Sequence, residues 1–507
     1  MGAAIMKGMK ATCITLAALL IVLSLCACSN GTALQEPVET EPKTEPADVS
    51  GSAETEDVPK DSLEARLSVE DGLPDADYDG RAFHILGYDF TLSSIWTDEL
   101  NGDVVNDALF NRQTKINDRF NVVLSVSGGQ DYSGTSAAAK NSVTAGDDEF
   151  QLYCSHVVQM GIDVTSNIYR NLYEIPHLDF SRPWWSSEVE KNLTYRGRAF
   201  LAVGDFDLSA PHSTKCLFYD KGLAAEYGLD DIYSVVKSGE WTKDIFYTVT
   251  SVYEDLNGDG LRDENDRYGF SLDQNGDANI WIYVFGKKVL EPQEDGSFAN
   301  TYYDEKLVSI VEWAYDLQFN RPSTYSAASW SIGVDMITEQ KTLIGMGGVR
   351  HALTYLRDSE IDYAIIPFPK WDVQQEGYYT YVDGSHDTQG VLLTIRDADF
   401  VGTITEALNA EGWKMVSPAY YDNALKYKGA RDEQSIEMLD ILLDGRIFDF
   451  GYVYGGFETP ASWLRRVING GSADIASYVK RNEKVWNKTM DKVYKAFDEY
   501  EGTGGLA

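Results

Sequence analysis

The order of apolar patterns between residues 82 and 158 constrains the fold most, because short buried runs alternate there with helix-spaced ones. "AFHILGY" (82–88) is an apolar run of strand length. In "DVVNDALFNRQTKINDRF" (103–120), Val105, Leu109, Ile116 and Phe120 fall on one helical face. "NVVLSV" is a second strand, "SAAAKNSVTAG" a short helix and "EFQLYCSHVV" a third strand. Each strand needs a crossover to reach the next, which predicts a parallel sheet covered by helices. Ligands of such sheets gather at the carboxyl ends of the strands. That directs attention to Trp96 and Glu99, and to Ser155 and His156.

A second α/β unit opens at "CLFYDKGLAAEYGL" (216–229), and 507 residues are enough for two such units. "KTLIGMGG" and "DYAIIPFP" read as further buried strands. The remainder reads as helical, including "EKLVSIVEWAYDLQF", "FVGTITEALNAEGWKMV", "DEQSIEMLDILL" and a long last helix from Ala473 to about Tyr500. No internal repeat is visible.

The amino terminus reads as an export signal. Lys7 and Lys10 precede an apolar run that ends Leu25-Cys26-Ala27-Cys28, which resembles a bacterial lipobox and makes Cys28 the expected lipidation site. Residues 1–28 are then a lipoprotein signal peptide. Residues 29–75 are rich in Glu, Pro, Thr and Ser and too poor in apolar groups to repay the entropy of ordering. They are expected to form a disordered acidic tether, with a random-coil reach of about 40 Å. Only Cys154 and Cys216 fall beyond it, both in apolar runs, so buried thiols are expected rather than a disulfide framework. The net charge of −37 leaves nothing to neutralise phosphates and argues against a nucleic-acid partner. The 31 tyrosines and 11 tryptophans suit flat faces on which a ligand stacks.

"DLNGDGLRDEND" (255–266) carries oxygen-bearing side chains wherever a twelve-residue calcium loop needs them. Asp255, Asn257, Asp259, Asp263 and Asp266 fill the side-chain positions, Leu261 supplies a carbonyl, and Gly260 takes the sharp turn. The last ligand is Asp where Glu is usual, a shorter arm for bidentate binding. Thr242 is placed as cap of a helix, with Ile245, Phe246, Val249, Val252 and Tyr253 on its apolar face, that runs straight into this loop.

Taken in order, the lipobox, the acidic tether, "LFYDKGLAAEYGL", "SGEWTKDIF", "DRYGF", "TLIGMGG", "DYAIIPFPKWD" and "SPAYYDNALKYKGARDEQSIEMLDILLDG" resemble the extracellular solute-binding proteins of family 1, lipid-anchored receptors of ATP-driven (ABC) sugar importers in Gram-positive bacteria. The resemblance spans about 79–500. It implies an α/β, two-lobed periplasmic-binding-protein-like type II fold with hinge strands, closing on a solute without chemistry. It implies ABC permease subunits as partners, a small-molecule solute such as a sugar as ligand, a membrane link through the lipid anchor only, and a monomer. It also implies a structural role for calcium. Crossings between lobes are implied near Leu201–Ser209, Leu343–Gly347 and Asp397–Gly402, with Gly204 and Gly345 suited to hinge motion. The N-terminal lobe is then 75–207 and 344–400, and the C-terminal lobe 208–343 and 401–507. A sugar cleft needs aromatic faces and planar hydrogen-bonding groups. Strand ends and crossings together select Trp96, Glu99, His156, Asp205, Trp281, His351 and Asp383 as ligand-binding candidates, with Trp96 and Trp281 stacking from opposite lobes. "PWW" (Trp184, Trp185) is a further candidate or a packed lobe edge.

Chemistry has little support. The six histidines lack metal-ligand spacing, no G-x-S-x-G elbow occurs, and "GMGG" lacks the context of a nucleotide loop. A secreted glycoside hydrolase working through a carboxylate pair, and a polysaccharide-binding adhesin, are the alternatives.

Overall fold

Three strands of the amino-terminal half pair in parallel because each returns through a helix. They are β1 (Arg81–Leu86), β2 (Val122–Ser127) and β3 (Leu152–His156), with β1 in the middle. The β1–β2 helix spans Val104–Phe120. Asp103 caps its first amides, it buries Leu109, Ile116 and Phe120 as the spacing predicts, and Asn121 ends it in the left-handed region. The helix Tyr132–Ala145, capped by Asp131, joins β2 to β3. The computed structural model describes residues 63–502 apart from Gly129 and Asp230. The leader with Cys28 and residues 29–62 of the tether lie outside the described residues.

The second sheet is built from β4 (Lys215–Asp220), β5 (Tyr253–Glu254), β6 (Arg267–Asp273), β9 (Thr324–Ala327), β10 (Thr342–Gly348) and β11 (Tyr363–Ile366). Its order is β11-β4-β10-β6, with β5 and β9 both beside β6. Between them, β7 (Leu290–Pro292) and β8 (Phe298–Asn300) form a hairpin. The last strands are β12 (Thr380–Tyr381), β13 (Asp387–Gly390) and β14 (Arg446–Ile447). β13 returns to the first sheet, antiparallel to β3. The fold is therefore α/β and two-lobed, of the periplasmic-binding-protein type II kind.

Three segments join the lobes. Ala202 bridges Gln389 at the edge of the first sheet, and Thr214 bridges Val382 beside the second, so 202–214 and 382–389 run side by side as antiparallel hinge strands. The third crossing is helical. Ala398–Glu411 packs Phe400, Val401, Ile404 and Leu408 into the first core, and its continuation brings Tyr420 and Leu425 against Cys216, Phe218 and Tyr363 of the second.

Several expectations are corrected here. The crossing near Leu201–Ser209 is found, but Leu343–Gly347 is no crossing. That segment is central in the second sheet, fully buried between β4 and β6, so residues up to 366 belong to the second lobe. Gly345 is accordingly a packing residue. A Cβ there would collide with the Gly333 carbonyl of the helix Ile332–Thr338, which lies directly on the strand. The crossing implied near Asp397–Gly402 begins there, but as a helix seated on the first lobe that reaches the second only in its continuation beyond Glu411. The body also starts before residue 75. Leu63–Ser68 is helical, the Arg66 guanidinium lies 5.1 Å from the Trp413 ring, and Val69 and Leu73 pack on the first core. Cys154 and Cys216 are buried free thiols, as expected.

Candidate functional site

The register of the two sheets brings their carboxyl ends together. His156, the last residue of β3, stands opposite Asp387, where a hinge strand enters the first sheet. Gly348, the last residue of β10, stands opposite Lys215, where the other hinge strand enters the second. The loops after β1, β2 and β3 therefore meet the loops after β6, β9 and β10 across the hinge.

Aromatic rings occupy that meeting place. From the first lobe come Tyr88, Phe90 and Tyr132. The His156 ring is 5.0 Å from Tyr132 and 6.4 Å from Tyr88, and Phe457 from the carboxyl-terminal segment closes on it at 5.6 Å. From the second lobe come Trp330, which is 56 % exposed, His351 and Tyr355. Arg350 links the two sets. Its guanidinium lies 5.3 Å from the Phe90 ring of one lobe and 5.5 Å from the Trp330 ring of the other. Flat apolar faces beside fixed polar groups are what a sugar ring stacks on and bonds to.

The polar floor is built around buried ions. Lys215 bonds Asp277 at 2.8 Å, and burial, which would lower its pKa, is overcome by Asp277 and Asp383 so that the ammonium is held above its usual range. Burial alone would raise the Asp383 carboxyl; Lys215 and Ser385 hold it below the ordinary value. Burial pushes His156 down to about 4 against the pull of Asp383, so the ring is neutral. His386 donates through Nδ1 to the Asp383 carbonyl at 2.7 Å and is likewise pushed down to about 4 by burial.

Of the ligand-binding candidates, the structure gathers His156, His351 and Asp383 at this mouth. Trp281 is 1 % exposed and packed among Phe246, Phe270, Phe285, Trp313 and Phe368. It is core, not a platform. Trp96 leans on the first core and donates its indole N–H to Asp98 at 2.9 Å, while Glu99 is exposed in the loop before the helix Val104–Phe120. Neither touches the ring cluster. Asp205 lies farther along the first hinge strand. It accepts from Ser417 at 2.6 Å, and burial raises its carboxyl to about 6. With Trp185, Gly204 and Arg446 it lines a separate cavity of about 260 Å³ that none of the cluster rings enters. Trp184 and Trp185 are a packed edge. Their indoles donate to the two oxygens of buried Glu406 at 2.8 and 2.9 Å, and burial lifts that carboxyl to about 7. Tyr88, Phe90, Tyr132, Trp330, Arg350 and Phe457 escaped the sequence reading. The strand-end argument reaches Tyr88 and Phe90 directly, since they follow "AFHIL" within four residues.

The loop 255–266 is entered from strand β5, not from a helix. The helix before it is Lys243–Val249, where Thr242 makes no side-chain cap, and Tyr253 already pairs with Tyr268 of β6. Asp255 accepts the Gly258 and Gly260 amides, Asp259 accepts from Leu261, and Asp263 from Asn265. Buried Asp266 accepts from Tyr253 on one oxygen, while the other has no partner. The orphaned Asp266 oxygen is compatible with a cation in the loop, while both Asp255 oxygens are taken by backbone amides. Among the described residues, no three of these side chains converge as a ligand set.

No protein-family model matches the sequence, and no curated protein matches it. Solved structures do match. A substrate-binding protein from Listeria monocytogenes in complex with cycloalternan has a TM-score of 0.52 at 13 % identity, over 82 % of this chain and 100 % of that one. A cyclo/maltodextrin-binding protein complexed with maltotetraose has a TM-score of 0.50 at 13 % identity, over 84 % of this chain and 100 % of that one. A solute-binding protein of an ABC transporter from Agrobacterium radiobacter in complex with ribitol has a TM-score of 0.50 at 12 % identity, over 83 % and 99 %. At these identities the likeness shows the fold.

Proposed function

We propose that this chain is the extracellular solute receptor of an ABC-type importer. It captures a carbohydrate or related solute between its lobes and passes it unaltered to membrane permease subunits. The observation that carries this reading is the meeting of both sets of strand ends, lined by Tyr88, Phe90, Tyr132, Trp330 and Phe457, around hinge strands that allow the lobes to close. Similar folds bound to cycloalternan, maltotetraose and ribitol support it. The lipobox at Cys28 and the acidic tether support an anchored position outside the cell.

The test is a thermal-shift panel of mono- and oligosaccharides and polyols on the whole mature chain. One compound class at 100 times its Kd is expected to stabilise the native state by about 2.7 kcal/mol through mass action. Solution scattering is expected to show contraction with that compound, and the compound is recovered intact. Release of reducing ends would point instead to a glycoside hydrolase, and polymer binding without contraction to an adhesin.

Calcium is proposed as a structural ion held by Asp255, Asn257, Asp259, the Leu261 carbonyl, Asp263 and Asp266. It would neutralise like charges and fix the β5–β6 hairpin. Chelation is expected to lower the melting temperature by a few degrees, on the order of what losing 2–4 kcal/mol does in a body of this size. Solute affinity is expected to hold. Loss of binding with an unchanged melt would contradict the structural role.

A further inference from the structure

Arg350 is held but not neutralised. Phe90 and Trp330 flank its guanidinium at 5.3 and 5.5 Å, which fixes the plane of the group through cation–π contact. Among the described residues it forms no ion pair and no side-chain hydrogen bond. The chain carries 80 acidic residues, yet this half-buried arginine is paired with none of those described. Its neighbour His351 tells the same story. That ring is 2 % exposed and lies 5.6 Å from Trp330. The Gly348 amide donates to Nδ1 at 3.2 Å, so the ring proton sits on Nε2, and Nε2 is buried with no acceptor. At the end of β10 the buried Nε2–H of His351 has no acceptor, and the part-exposed guanidinium of Arg350, the preceding residue, has no carboxylate among the described residues. A buried donor left unpaired is costly, and the guanidinium fork matches a planar oxyanion.

We propose that the solute is an acidic saccharide whose carboxylate is received by Arg350 and by Nε2–H of His351 while its ring lies among the flanking aromatics. The inference rests on the receptor reading above and specifies its ligand class. A neutral sugar satisfies donors with hydroxyl oxygens, whereas a carboxylate offers two acceptor oxygens in the geometry of the fork and a charge to balance it.

The test compares three probes on the mature wild-type chain by titration calorimetry: trigalacturonate, its uncharged methyl ester, and neutral maltotriose. Trigalacturonate is expected to bind roughly 10–100-fold tighter than the ester, the span of one charged hydrogen-bonded contact. The variant Arg350→Gln is expected to abolish the preference for the acid over the ester. Arg350→Lys is expected to recover part of the difference, since it keeps the charge without the fork. Equal binding of acid and ester, or tighter binding of maltotriose, overturns the acidic class and leaves the receptor reading standing. Binding of no saccharide overturns both. The comparison of acid with ester needs no variant, so it decides the matter even if Arg350→Gln fails to fold.

Discussion

Trp281→Ala is expected to lower the folding free energy by about 3–5 kcal/mol, the range for removing a large aromatic from a packed core. The indole is enclosed on every side, with ring centroids of Trp313 at 4.8 Å, Phe285 at 5.7 Å, Phe246 at 5.9 Å and Phe368 at 6.0 Å. Those rings come from separate elements of the second lobe and cannot collapse together into the space. The loss then includes a cavity term beyond the lost transfer energy. Urea unfolding followed by circular dichroism reads it, and a shift of roughly 3–5 °C in melting temperature should accompany it. Trp330→Ala is the counterpart. Trp330 is 56 % exposed, so its removal is expected to move stability by no more than about 0.5 kcal/mol. Solute affinity should fall about tenfold through loss of a stacking face and of one flank of Arg350. If Trp281→Ala left stability intact and abolished binding, the assignment of core and platform would be reversed.

That pair of tryptophans shows what was legible in the sequence and what was not. Both lie near the ends of strand patterns, and nothing in "NIWIYVF" or "AASWSIG" says which indole meets solvent. The answer depends on five rings supplied from residues 246 to 368, a long-range property that periodicity does not carry. The strands and helices were legible because alternation and helical spacing are local. The helices Val104–Phe120, Glu433–Asp444 and Ile475–Asp498 lie where their apolar faces place them. Lobe membership was not. "KTLIGMGG" reads correctly as a buried strand, yet whether it crosses between lobes or fills the second sheet is decided by pairing with residues 215–219 and 268–271.

Site legibility follows the same rule. His156 could be placed at a strand end because that rule acts on a short segment; Asp383 was named as a candidate, but the strand that carries it, 382–389, is a crossing the sequence reading did not locate. Arg350 was not, because its significance lies in what fails to approach it. A missing partner can be seen only when every surrounding chain segment has been placed.

Asp387→Asn is expected to stabilise the protein, by an amount that grows with pH. Asp387 sits at the entry of the second hinge strand and Asp207 in the first. Ser209 joins them, donating to Asp207 at 2.5 Å and accepting the Asp387 amide at 2.8 Å. Burial, and then the charge of Asp207, hold the Asp387 carboxyl well above the ordinary aspartate value, while burial raises Asp207 to about 6. Thr91 donates to one Asp387 oxygen at 2.5 Å, and the other has no partner. Above the ordinary aspartate value of 3.8 the unfolded chain releases this proton and the folded chain keeps it. The stabilisation present at low pH is therefore lost as pH rises, by about 1.4 kcal/mol per pH unit for one proton. Asparagine copies the protonated carboxyl and carries no such linkage. Urea unfolding of both proteins at half-unit steps should show the variant's advantage rising with that slope and levelling once pH passes the folded value of Asp387. Burial holds His156, His212 and His386 down at about 4, and these rings tilt the wild-type curve the opposite way below their ordinary 6.5. They are common to both proteins and cancel in the difference. Parallel curves would mean that Asp387 is ionised in the folded hinge over this range.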